Sequence, residues 1–425
     1  MEDRLKRPLQ ATLSPLMFAV LGTLVGVAVG AVGGIFGKGI ECLSAFGMAH
    51  FKVYVWLLPA VGVLTVAMLK NLGGGGLGMR AVFRASRGER KGFELRSVFF
   101  QFAGTWGAHL FCASVGREGA GIQIGAAIGG NIGKHVPVPG ADRILLIAGM
   151  AAGFSALFGT PLCALFFALE VTIVGGIRLR ALIPAAFASY SAWYTAGLCG
   201  LTHFAPSVAF SPALDLSLLA RLFALGALCG LAGLFFCLAR KHLARFFAAA
   251  VPNGYVRAAA AGLLLAALLY LTGGRYSGLG TNLISFAVEG GQVYAYDWVV
   301  KLLFTAAFLS VGFLGGEVTT LFAAGACLGA ALSGLFGLPA EVAACLGYAA
   351  LFGGATNTVF APVLLCCEIF GGGMLPYAAI ACIAAYLFNF GHSVYDQRVR
   401  EDIVAHVVKK IAKKNKLPRL PKPLY

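Results

Sequence analysis

SVGREGAG, residues 114–121, sets one acid, Glu118, among glycines between long apolar runs, and FLGGEVTTLF, residues 313–322, does the same for Glu317. The two acids stand 199 residues apart (317 − 118). Other matches keep nearly the same offset. GLGM (Gly76–Met79) returns as GLGT (Gly278–Thr281), and GAAIG (Gly125–Gly129) as GACLG (Gly325–Gly329). GMAA at Gly149 leads to Glu170 as GYAA at Gly347 leads to Glu368, 21 residues on in each case (170 − 149 and 368 − 347). Any single match in a Gly/Ala-rich chain is cheap, but four in order are not. They read as a two-fold duplication with a boundary near Pro212: a first half over residues 1–211, a second over 212–398, and a basic tail over 399–425.

Composition fixes the solvent around these halves. Apolar residues make up 59% of the chain and charged residues 12%, about half the roughly 25% charged share of a soluble domain. The runs Pro15–Phe36, Ile144–Leu169, Leu222–Leu238 and Ala258–Gly274 carry no formal charge, and a bilayer-crossing helix needs about 20 apolar residues. An all-α membrane protein follows. Shorter, glycine-rich segments at 121–133, 318–336 and 359–373 read as broken or re-entrant helices, which are tolerated only where protein or a watery cavity satisfies their backbone. A repeat with interrupted helices in corresponding places points to a substrate site at the midplane between the halves.

The net charge of +16 lies outside the apolar runs, at Arg4 to Arg7, Arg80 to Arg96, Arg178 and Arg180, Arg240 to Arg245, and Arg398 to Lys422. The positive-inside rule makes these segments and both termini cytoplasmic, in a multi-pass protein of the inner membrane. Nucleic-acid binding by the basic tail is the lesser reading. Eleven scattered cysteines show no metal spacing and read as small buried hydrophobes. No Walker loop, HExxH or CxxC signature appears, so neither a cofactor nor a metal is expected, and an enzyme is disfavoured because the histidines stand isolated.

An ionisable group between apolar runs is a functional site by default. A helix beginning after GREG would aim free NH groups at Glu118, and helix N-termini attract anions. A carboxylate there would compete with the anion and could carry a proton. The bland alternative is a Glu118–Arg117 ion pair at a loop edge. Val318, Thr319 and Thr320 could offer NH groups and hydroxyls from the second half. Glu170 and Glu368 could serve function or cap backbone ends of the neighbouring half, and Asn357 could be a polar ligand or a helix cap, the cap being the favoured reading.

GREG (116–119), GGEVT (315–319), GATNT (354–358) and HSVY (392–395) resemble, in content and order, the motifs of CLC anion transporters. GGEVT, GATNT and Met79, which stands where chloride members carry an anion-binding serine, resemble the fluoride/proton antiporter branch. The resemblance implies a CLC-like inverted repeat, a homodimer with one pathway per subunit, and Glu118 as the gating and proton-carrying glutamate. It implies an anion site at Met79, Gly116, Gly119, Val318, Thr319 and Tyr395, with Glu317, Asn357 and Thr358 concerned in coupling. The partners would be fluoride or chloride, the proton and membrane lipid. Relatives commonly carry Pro or Thr at Ala120, Lys at Leu314, and Pro at Thr320 and Val359, so this chain lacks one positive charge near the pathway. Other expectations kept open are a chloride channel or chloride/proton exchanger of the same fold, and a non-transporting sensor or scaffold.

Overall fold

The computed structural model describes residues 2–72, 78–90 and 92–399. The GGGGL stretch before Gly78 (residues 73–77) and the tail from residue 400 lie outside the described residues. The first half runs α1 (Glu2–Ala49), the single turn α2 (Phe51–Tyr54), α3 (Leu58–Asn71), α4 (Met79–Ser86), α5 (Arg96–Leu110), α6 (Glu118–Gly133), α7 (Ala141–Phe158), α8 (Pro161–Glu170) and α9 (Leu182–Leu198). The second runs α10 (Leu216–Ala250), α11 (Gly254–Leu271), α12 (Thr281–Val288), α13 (Asp297–Val311), α14 (Val318–Phe336), α15 (Ala340–Thr356), α16 (Phe360–Phe370) and α17 (Leu375–Phe388). Helix starts recur at 202 (281 − 79), 200 (318 − 118) and 199 (360 − 161) for α4/α12, α6/α14 and α8/α16. The repeated motifs therefore sit on repeated elements.

Local chemistry explains many boundaries. The Asp215 carboxylate accepts from Leu218 N at 2.7 Å to open α10, and Asn253 accepts from Tyr255 N and Val256 N to open α11. Prolines stand in the first turn of α3, α8 and α17, where no intrahelical donor is lost. Six of the described helices are long and apolar enough to cross a bilayer, α10 and α14 among them. Outside the helices, Ile173–Val174 pairs in parallel with Arg398–Val399.

Of the three segments expected to be broken, only 359–373 is interrupted by glycine, where α16 ends at Phe370 before Gly371 (φ 113°). The segments at 121–133 and 318–336 are continuous α6 and α14. Their glycines bring backbones together instead: a Cβ on Gly149 would stand 2.0 Å from Gly125 O, and one on Gly347 would stand 2.2 Å from Gly325 O. Helices α6/α7 and α14/α15 thus pack backbone on backbone, as small residues permit in membranes. Two further breaks fall elsewhere. The charge-free run 144–169 divides at Gly159 (φ 71°) into α7 and α8, and its counterpart divides at Asn357 (φ 56°) into α15 and α16.

Those breaks bring the halves together. The Glu170 carboxylate, at the end of α8, accepts from Val359 N, Phe360 N and Ala361 N at the start of α16 (3.3, 3.2 and 2.8 Å). Glu368, near the end of α16, accepts from Leu162 N and Cys163 N at the start of α8, both at 2.8 Å. Each carboxylate satisfies the free donors of the other half's helix. Gly116 and Gly316 likewise exchange a pair of backbone hydrogen bonds, 2.6 and 2.7 Å long, in an antiparallel bridge. Contacts that come with their exchanged twin are what a two-fold relation between like parts generates.

Candidate anion and proton site

Glu118 opens α6 and is fully buried. Its Oε2 accepts from Arg117 N at 3.0 Å and from Thr319 N at 3.1 Å, while Oε1 accepts from the Thr319 hydroxyl. Thr319 is the second residue of α14, so a carboxylate of one half sits on the helix N-terminus of the other. Free NH groups and the positive end of the helix dipole converge there, which is the seat a helix offers to an anion. Glu118 occupies it.

Arg117 does not supply the simple ion pair. Its guanidinium donates to Leu157 O at 3.1 Å and approaches Glu41 at 3.7 Å. No Arg117–Glu118 side-chain ion pair forms; the guanidinium is turned to Leu157 and Glu41 instead.

A cavity of about 400 Å³ lies on one side of the seat, with Met79, Gly119, Glu317, Tyr395, Arg80 and Arg240 in its wall. A smaller one, about 100 Å³, lies on the other, with Arg117, Thr319 and Tyr348 in its wall. Glu118 belongs to neither wall, but its neighbour Gly119 and its partner Thr319 belong to one each. Glu118 thus stands between residues of the two walls.

The larger cavity gathers four of the residues singled out in the sequence, Met79, Gly119, Glu317 and Tyr395. Met79 begins α4 directly after Gly78. Tyr395 is buried with its ring edge-on to Phe83, and its hydroxyl finds no protein partner. Glu317 holds the N-cap position of α14 and lies 3.6 Å from the Arg240 guanidinium. Val318 and Thr319 follow it into the first turn, but the Thr320 hydroxyl turns back to Glu317 O at 2.6 Å instead of facing the seat. Gly116 is held in the bridge to Gly316. Gly119 and Gly121 are ordinary helical residues of α6 and do not open the backbone there.

Two candidates lie apart. Asn357 is the left-handed C-cap of α15, accepting from Asn389 and donating to Gln397, and the Thr358 hydroxyl pairs with that of Thr356 at 2.8 Å. Neither contributes to either cavity wall. They shape the break between α15 and α16.

Sequence reading passed over four polar residues. Gln101 and Gln123 line the larger cavity, as does Arg240. Lys301 is fully buried in α13, donating to Ser114 Oγ, Tyr276 O and Gly278 O at 2.9, 2.9 and 2.7 Å. The available signal was a long polar side chain within an apolar helix, and it was outweighed by the acids. Among the described residues no cluster of three or more metal-ligating side chains forms.

The geometry has counterparts in known proteins. Residues 62–389 match the family model described as "Voltage gated chloride channel". A chloride/fluoride channel protein of Pseudomonas syringae pv. tomato is 34% identical over 412 residues, covering 93% of this chain and 90% of that protein. The crystal structure of a CLC-type fluoride/proton antiporter superposes with a TM-score of 0.88 at 40% identity, over 91% of this chain and 98% of that one. A slow cyanobacterial Cl⁻/H⁺ antiporter shares the fold, with a TM-score of 0.77 at 18% identity over 94% and 99% of the two chains.

Proposed function

The chain belongs to the voltage gated chloride channel family, the CLC proteins, and on that footing we propose that it exchanges fluoride for protons across the bacterial inner membrane. The observation that carries the reading is the Glu118 carboxylate bound on the N-terminus of α14 between two cavities. An anion that displaces it takes over the same NH and hydroxyl donors. The displaced carboxylate takes a proton, so anion movement one way is tied to proton movement the other. The chain itself forms no covalent intermediate.

Fluoride is small and strongly hydrated, so a site that selects it must replace water with close donors. Thr319 N, the Thr319 hydroxyl and the free Tyr395 hydroxyl are of that kind. The lysine that relatives carry at Leu314 is absent, but Arg240 from α10 brings a positive charge to the same cavity. Arg80 and Arg240 lie in segments that the positive-inside rule places in the cytoplasm, so the larger cavity faces the cytoplasm and both termini lie there. Residues 1–211 and 212–398 are the two inverted halves, and the working unit is a homodimer in lipid with one pathway per subunit.

The test is purified protein in liposomes, followed with a fluoride electrode and a pH probe. Fluoride efflux that drives proton uptake, and exceeds chloride efflux, is the expected result. Equal flux of the two halides moves the assignment to the chloride exchangers of the same fold, and the absence of flux moves it to a sensor or scaffold.

A further inference from the structure

Gln101 of α5 and Gln123 of α6 form a chain of amides whose direction is fixed from one end. Gln123 Nε2 donates to Gly119 O at 2.9 Å. A carbonyl oxygen only accepts, so the amide of Gln123 cannot be turned around, and its Oε1 must face Gln101. Gln101 Nε2 donates to that oxygen at 2.8 Å. The remaining atom, Gln101 Oε1, is buried and has no partner, while both glutamines belong to the wall of the larger cavity. A buried acceptor of this kind is seldom left empty.

We propose that Gln101 Oε1 binds a neutral hydrogen-bond donor, water or undissociated hydrogen fluoride, and thereby sets a proton-bearing molecule on the cavity side of Glu118. Bare fluoride has no proton to offer this oxygen and is repelled by its lone pairs, so this wall sorts the protonated species from the anion. The Tyr395 hydroxyl, which can donate, serves the anion from the same cavity. Water held at Gln101 hands one of its protons to a carboxylate as it takes another from the cavity, and so is unchanged by each passage. Hydrogen fluoride gives up its only proton and departs as fluoride. Gln123 is the positioning residue, since it holds the acceptor outward.

The inference rests on the function proposed above and is tested in the same liposomes. Gln101→Leu, which keeps bulk and removes the acceptor, is expected to lower proton flux about tenfold while fluoride flux falls less than about threefold. If the donor is hydrogen fluoride, the fluoride concentration for half-maximal flux rises as well; if it is water, that concentration stays as in the wild type. Gln101→Glu is the rescue, because its protonated form donates to Gln123 and keeps a carbonyl oxygen free. A proton-to-fluoride ratio between wild type and Gln101→Leu, or equal to wild type, is expected for it. An unchanged ratio in Gln101→Leu, or a ratio in Gln101→Glu as low as in Gln101→Leu, overturns the inference. A wild type without coupled flux sinks the proposed function with it, whereas a coupled wild type beside an unaltered Gln101→Leu sinks only this step.

Discussion

A single carboxylate held by three donors from two helix starts makes Glu118 the residue on which the proposed exchange is expected to turn. Glu118→Gln keeps the size of the side chain and removes its charge. Proton flux through the variant is expected at background, with fluoride flux down about tenfold or more. Undiminished coupled flux would show that the proton travels by way of another acid. Glu118 and Glu317 were legible in the sequence because an acid among glycines between apolar runs is conspicuous. The Gln101–Gln123 chain was not, because the two residues stand 22 positions apart and neither is charged. Only the packing of α5 on α6 reveals that they meet. Arg240 was read as a topological marker alone, and its distance from Glu317 in sequence hid that it also faces the cavity.

At the scale of elements, the repeated glycines predict their own sensitivity. Gly149→Ala would place a Cβ 2.0 Å from the Gly125 carbonyl oxygen, a fixed backbone atom. Overpacking of this sort costs roughly 1–3 kcal/mol, and a lowered midpoint of thermal unfolding in detergent is the measurement. Gly347→Ala, its counterpart against Gly325, is expected to behave alike. Glu368→Ala removes the carboxylate that caps α8, for a loss of about 1–2 kcal/mol. Coupling between proton and fluoride should survive that change, since Glu368 contributes to neither cavity wall. A coupling ratio that collapses while the fold stays intact would place Glu368 on the proton route. The sequence announced the segments that hold Gly125 and Gly325 as breaks, because short, Gly-rich apolar segments look interrupted, and Gly149 and Gly347 only as repeated motifs. In fact a helix tolerates glycine when tertiary contacts hold it, and the further breaks at Gly159 and Asn357 carry only one residue of positive φ each.

The whole molecule was legible in outline because duplication writes the same motif twice, and four matches at a nearly constant offset need no three-dimensional information. What the sequence could not show is which surfaces the halves share. The antiparallel bridge at Gly116 and Gly316 involves backbone atoms only, and glycines have no side chain by which to advertise a partner. Cells lacking this protein are expected to grow normally without fluoride and to arrest at fluoride concentrations that the parent tolerates; equal tolerance would contradict a role in fluoride export. The crossed capping by Glu170 and Glu368 also bears on how the chain is made. Glu170 leaves the ribosome 190 residues before Phe360, whose backbone it must cap (360 − 170). At about 5–20 residues per second, synthesis of that interval takes roughly 10–40 s. Throughout it the start of α8 lacks its carboxylate and Glu170 lacks its helix end, so the first half waits unfinished in the membrane. Its crossed caps close only when translation of the second half has passed Glu368.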